Sequence, residues 1–114
     1  MHHDIKKYVW DAIEACRLIQ EFTKDYTLET YQQHQLTNLA VQGALVNLGR
    51  ILRVVDEADP SFRNYLPETN DMIGLQKHLV HEYDRVDNAI IWNVAKNDVP
   101  DLQSKLTVWL EKNG

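Results

Sequence analysis

The chain has 114 residues, 44% of them apolar and 25% charged, with four Gly, three Pro and a formal net charge of −5. That length holds one domain and falls short of two, and the balance excludes disordered and fibrous classes. A single cysteine, Cys16, excludes an intramolecular disulfide, and the acidic balance excludes a general phosphate-binding surface, so any nucleic-acid contact must be local.

The N-terminal stretch Met1-His2-His3-Asp4-Ile5-Lys6-Lys7 lacks the basic-then-apolar layout of a secretory signal. No apolar run approaches the roughly 18 residues that span a membrane. The expectation is a cytoplasmic protein from which nothing is cleaved, folded as one domain over residues 1–114. After Asp4, a plausible N-cap, the residues Ile5, Tyr8, Val9, Ala12, Ile13, Cys16, Ile19 and Phe22 recur at steps of three and four, one face of an amphipathic helix. Cys16 falls on that face as a small hydrophobe and has no reactive-site signature around it.

Thr27 can cap a short helical turn through Tyr31. Leu36, Leu39, Ala40, Ala44, Leu45, Leu48, Ile51, Leu52 and Val55 then extend a longer helix toward Glu57, the expected backbone of a bundle. Asp59-Pro60-Ser61-Phe62 reads as a turn opening a short helix, and Pro67 separates it from the next segment. Asn70 or Asp71 can cap a helix to about Tyr83, Asp87 another to about Asn97, and Pro100 opens a last one ending near Trp109-Leu110. The pattern predicts an all-α, antiparallel bundle of about five principal helices joined by short connections. There is no β-alternation of useful length, no fixed-period repeat and no Gly-rich phosphate loop.

The stretch with chemical content runs from Gly74 to Asp87. On a helix, Lys77 and His81 are four apart and His78 and His81 three apart, so each pair can share a face. An imidazole, titrating near ~6.5 when unperturbed, can take a proton from a ribose hydroxyl and return one to a leaving oxygen. A helix histidine is more ordinarily satisfied by a neighbouring carbonyl or carboxylate, and spacing alone does not separate the two readings. His78, His81 and Glu82 offer three candidate ligands without a recognised zinc spacing, so neither a metal nor another cofactor is expected.

Leu79-Val80-His81-Glu82-Tyr83, followed by Val86-Asp87, Ile90-Ile91-Trp92 and Asn97-Asp98-Val99-Pro100-Asp101-Leu102, resembles the carboxy-terminal half of HepT-like HEPN proteins. The family pattern is an Arg, four to six residues, a His, one residue and a Tyr, then a valine-aspartate helix start; His81 and Tyr83 match it. The front half is similar in layout, with an aromatic at Tyr31 and the run from Ala40-Val41 to Leu48-Gly49 in the second long helix. The resemblance implies a HEPN-like homodimer and a metal-independent ribonuclease, the toxin of a type VII-like toxin–antitoxin pair. Paired motifs from two protomers would share a cleft in which the histidine promotes attack of a ribose 2′-hydroxyl and the arginine stabilises charge.

The same resemblance implies that Tyr83 is where a minimal nucleotidyltransferase antitoxin attaches AMP, whose bulk and negative charge would block RNA beside His81. The chain departs from the family at Gln76, which stands in the arginine's place. An amide supplies neither the fixed charge nor the five-donor fork of a guanidinium. Loss of such a group can cost on the order of a thousandfold by analogy with arginine fingers. Lys77, where an asparagine commonly follows the arginine, is the nearest substitute, and Arg85 lies on the wrong side of the histidine. Glu82 replaces a small residue and Arg50, after Gly49, a glutamate. Three readings stay open: the toxin ribonuclease, a catalytically weak subunit that binds or is modified by a nucleotidyltransferase, and a structural helical dimer without a ligand.

Overall fold

The computed structural model describes residues 5–113, and among these every regular element is helical. Helix α1 spans Ile5–Thr23, α2 Leu28–Gln33, α3 Gln35–Ala58, α4 Phe62–Tyr65 and α5 Glu68–His81. A short 3-10 turn, Tyr83–Arg85, leads to α6 at Asn88–Asn93, a wider π turn at Val94–Asp98, and α7 at Val99–Asn113. The protein is an all-α bundle, as its periodicity predicts.

The amphipathic faces meet in one core. Helix α1 buries Val9, Ala12, Cys16 and Ile19, α3 buries Val41, Leu45, Leu48, Leu52 and Val55, and α7 buries Val99, Leu102 and Leu106. Helix α3 packs on α1 along one side and on α5 along the other, while α7 closes over α1. Each fully buried aliphatic of this set stabilises the fold by about 1.5–3 kcal/mol before entropy is charged against it. Tyr31, at no exposure, packs on Trp92 with ring centroids 5.2 Å apart, and Phe62 meets Trp109 edge-on at 5.5 Å. Lys96 lies over Trp92 and donates to the carbonyl oxygen of Thr23 at 3.4 Å, tying the π turn to the end of α1.

Local chemistry fixes the helix starts. Thr27 caps α2, accepting from the Thr30 amide at 3.2 Å while Thr30's hydroxyl accepts from the Thr27 amide at 2.9 Å. Asp87 caps α6, accepting from the amide of Ala89 at 2.9 Å. Helix α3 is capped by His34, whose Nδ1 accepts from the amide of Thr37 at 3.2 Å. The Asp4 cap lies outside the described residues.

Three boundaries differ from the sequence reading. Helix α5 starts at Glu68 rather than after Asn70 or Asp71, because Pro67 already holds helical φ at the preceding position. It ends at His81 rather than Tyr83, where Glu82 turns out of the helical region at φ −130°, ψ 42°. The break expected before Pro100 is absent, so 88–113 is one helical run. Proline in an α-helix removes an N–H and crowds the carbonyl four residues back. The π turn widens the backbone at that carbonyl, with the Val99 amide donating to Val94, and the helix continues.

Candidate active site

The final turn of α5 and the turn after it carry the residues singled out by spacing. Lys77 and His81, four apart, project from one side of α5, and both are exposed. Neither side chain has a hydrogen-bond or ion-pair partner among the described residues. His78 is occupied differently: its Nδ1 lies 3.3 Å from Glu82 Oε2, and the other oxygen of Glu82 lies 4.0 Å from Arg85 Nη1. Glu82 therefore serves His78 and Arg85 and leaves His81 free. The ring of Tyr83, 76% exposed, stands two residues beyond His81 in the 3-10 turn. No three or more His, Cys, Asp or Glu side chains among the described residues are arranged to hold a metal ion.

Gln76 occupies another environment. Five residues separate it from His81, which turns the two side chains roughly 140° apart around the helix. It packs into the α3–α5 seam opposite Gly49, where a Cβ would overlap the Gln76 Cβ and sit 2.8 Å from the carbonyl oxygen of Met72. The Oε1 of Gln76 is buried there without a hydrogen-bond partner. The structure thus brings Lys77 and His81 onto one face and leaves Gln76 beneath it. The close seam is what sequence reasoning missed, and its one signal was a glycine inside a long helix with no turn to make.

The seam also sets the surroundings of the motif. Helices α3 and α5 run antiparallel, so the start of α3 lies beside the end of α5. A hydrogen bond of 3.2 Å from Gln42 to Asn88 fastens the start of α6 to the same region. Leu36, Leu39, Val80, Tyr83 and Ile90 are all exposed at this end of the molecule.

Comparison with known proteins places this arrangement. The profile described as "Ribonuclease HepT-like" matches residues 12–108. The chain belongs to the HepT-like ribonuclease family. A Thermococcus cleftensis protein named "Probable ribonuclease HepT" is 31% identical over 107 residues, covering 92% of this chain and 94% of that one. A Methanocaldococcus jannaschii protein named a "Putative RNase" is 28% identical over 107 residues, covering 92% and 95%. No solved structure matches.

Elsewhere on this HepT-like chain, a pocket between the starts of α5 and α7 is lined by Glu68, Asp71, Met72, Asp98 and Asp101. Its carboxylates repel an anionic substrate, and Lys105 already bridges Glu68 and Asp101. It lies at the opposite end of α5 from His81. Cys16 is buried and its thiol is pushed up to about 12 by desolvation, so it stays protonated and unreactive. No helix among the described residues is long and apolar enough to cross a membrane.

Proposed function

We propose that this HepT-like protein is the toxin of a type VII-like toxin–antitoxin pair, a cytoplasmic, metal-independent ribonuclease working at a homodimer cleft. The observation that carries this reading is His81, exposed at the last position of α5 with no group among the described residues holding its ring. An unengaged imidazole can accept a proton from a ribose 2′-hydroxyl. The freed oxygen attacks the adjacent phosphorus, the bond to the 5′-oxygen breaks, and that oxygen leaves with a proton. The products are a cyclic phosphate and a 5′-hydroxyl, and Lys77 on the same face offers a positive charge to the phosphate.

Tyr83 supports the second half of the proposal. Its exposed position lets the phenol oxygen attack the α-phosphorus of ATP on a minimal nucleotidyltransferase, forming Tyr-AMP and releasing pyrophosphate. Added negative charge two residues from His81 would exclude RNA.

Gln76 favours a second reading, a weak or inactive subunit that serves as the nucleotidyltransferase's substrate. Its neutral amide lies in the seam and its oxygen has no partner, so it offers the reaction no charge. Cleavage of single-stranded RNA by the parent and by His81→Ala decides between them. The toxin reading expects activity in the parent and none in the variant, and equal cleavage by both removes His81 from the mechanism. Incubation with the nucleotidyltransferase and ATP should add about 329 Da per AMP. Persistence of that adduct in Tyr83→Phe rules the tyrosine out as acceptor.

A further inference from the structure

Among the described residues, six of the twelve Lys and Arg residues pair with carboxylates: Lys7 with Asp11, Arg17 with Glu14, Lys24 with Glu21, Arg63 with Asp56, Arg85 with Glu82, and Lys105 with Glu68 and Asp101. The outer flank of the α3–α5 pair is different. Gly49 marks where α3 touches α5, and Arg53 follows it by one helical turn, on the same side of α3. Arg50 adjoins Gly49, and Lys77 adjoins Gln76 across the seam. Arg50, Arg53 and Lys77 are all exposed. Among the described residues Arg53 and Lys77 have no carboxylate within 4.0 Å, and Arg50 donates only to the amide oxygen of Asn47 at 3.2 Å.

The burial pattern shows that these side chains share one flank. On α3 the core side is marked by Leu45, Leu48 and Leu52, and on α5 by Met72 and Leu79. Helical rotation places Arg53 and Arg50 on the far side of Gly49 from that core, and Lys77 on the far side of Gln76. Successive α3 cations rise by about 4.5 Å along the axis, and Lys77 extends the row toward His81. Of the acidic residues of α3, Glu57 lies one turn beyond Arg53, and Asp56 is buried and held by the fork of Arg63.

We propose that Arg50, Arg53 and Lys77 form a phosphate-binding track that leads single-stranded RNA along the α3–α5 flank to His81. The proposal rests on the ribonuclease reading and assigns the part of the protein that holds the substrate. Charge complementarity selects the occupant: a row of uncommitted cations on a chain of net charge −5 fits a polyanion. The track binds and does not replace the missing arginine in chemistry, because Arg50 and Arg53 lie turns away from His81. Arg50 and Arg53 are thus substrate-positioning residues.

The test measures binding of a fluorescein-labelled, 2′-O-methylated RNA oligonucleotide, which lacks the attacking hydroxyl, across a salt series. Each phosphate neutralised on a single strand contributes about 0.7 to the slope of log affinity against log salt. R50Q/R53Q should bind more weakly with a slope shallower by about 1.4, and adding K77Q should remove about 0.7 more. Arg17→Gln, on α1 and paired with Glu14, should match the parent. Circular dichroism on each variant confirms the fold, since all the substituted positions are exposed. A parent that binds while R50Q/R53Q keeps its slope overturns the track and leaves the ribonuclease reading intact. An unchanged slope with a changed mass by light scattering assigns these arginines to a contact between copies and also overturns it. Absence of RNA binding and cleavage in the parent overturns both proposals together.

Discussion

At the scale of single residues, the site turns on the contrast between His81 and Gln76. His81 is exposed and uncommitted among the described residues, so His81→Ala should leave stability within about 0.5 kcal/mol while removing the proposed proton-transfer group. Gln76 is the reverse, a half-buried amide with an orphaned oxygen in the seam. An unpaired buried acceptor costs about 1–3 kcal/mol, so the residue is no structural optimum. Gln76→Arg places a permanent charge there, and its long stem can run past Gly49 with the guanidinium emerging at the rim. Single-turnover cleavage should rise in Gln76→Arg and vanish in Gln76→Arg with His81→Ala. A rise that survives loss of the histidine means that the new arginine works by another route.

At the scale of elements, two glycines of α3 predict opposite outcomes for one chemical change. Gly43 is exposed, and a methyl added at its Cα would meet nothing within 4 Å, so Gly43→Ala should stabilise by up to ~1 kcal/mol through helix propensity. Gly49→Ala gains the same propensity but drives a methyl into Gln76 and the Met72 carbonyl, both on α5. Backbone cannot swing aside as a flexible side chain can, so a net loss of about 1–3 kcal/mol is expected, together with weaker RNA cleavage as α5 shifts. Denaturant midpoints of the two variants compare them directly, and equal midpoints mean that α5 yields freely. Periodicity made the elements themselves legible: the stripes from Ile5 to Phe22 and from Leu36 to Val55 each become a helix, the first turned inward along its length and the second inward from Leu45 onward, with Leu36 and Leu39 left exposed. Capping was legible at Thr27 and Asp87, whose side chains have the right chemistry, and hidden at His34, which does not rank as a cap former. Pro100 misled because its effect on a helix depends on the turn before it, and here a π turn at Val94–Asp98 lets the helix continue past it. Lys77 and His81 share a face because three-and-four spacing dictates it, whereas the burial of Gln76 depends on a helix about thirty residues away.

At the scale of the whole molecule, the core sets a pH limit and leaves one surface unfinished. Burial pushes the Cys16 thiol and the Tyr31 phenol each up to about 12, from ordinary values of 9.0 and 10.0. The unfolded chain therefore loses these protons first, and stability present below pH ~9 should fall as pH rises toward 12, by up to ~1.4 kcal/mol per pH unit per group. Melting temperatures from pH 8 to 11 should drop less steeply in Cys16→Ala and Tyr31→Phe than in the parent.

The unfinished surface lies around the motif. The rings of Tyr31, Trp92 and Trp109 pack within the bundle, but Leu36 at 74%, Leu39, Val80, Tyr83 and Ile90 stay exposed where the start of α3 meets the end of α5. Apolar groups gathered at one end, near a histidine that has no partner among the described residues, fit a surface that a second copy covers, and the proposed shared cleft needs one there. A two-fold contact through this end would bring two His81 side chains toward one another and exclude water between them. Light scattering at micromolar concentration should then give twice the chain mass. Leu39→Asp with Val80→Asp should halve it and abolish cleavage while leaving the helical signal intact, since both side chains are exposed within the single chain. A parent that stays monomeric, or a monomeric variant that still cleaves RNA at the parent's rate, removes the second copy from the mechanism and leaves His81 to act alone.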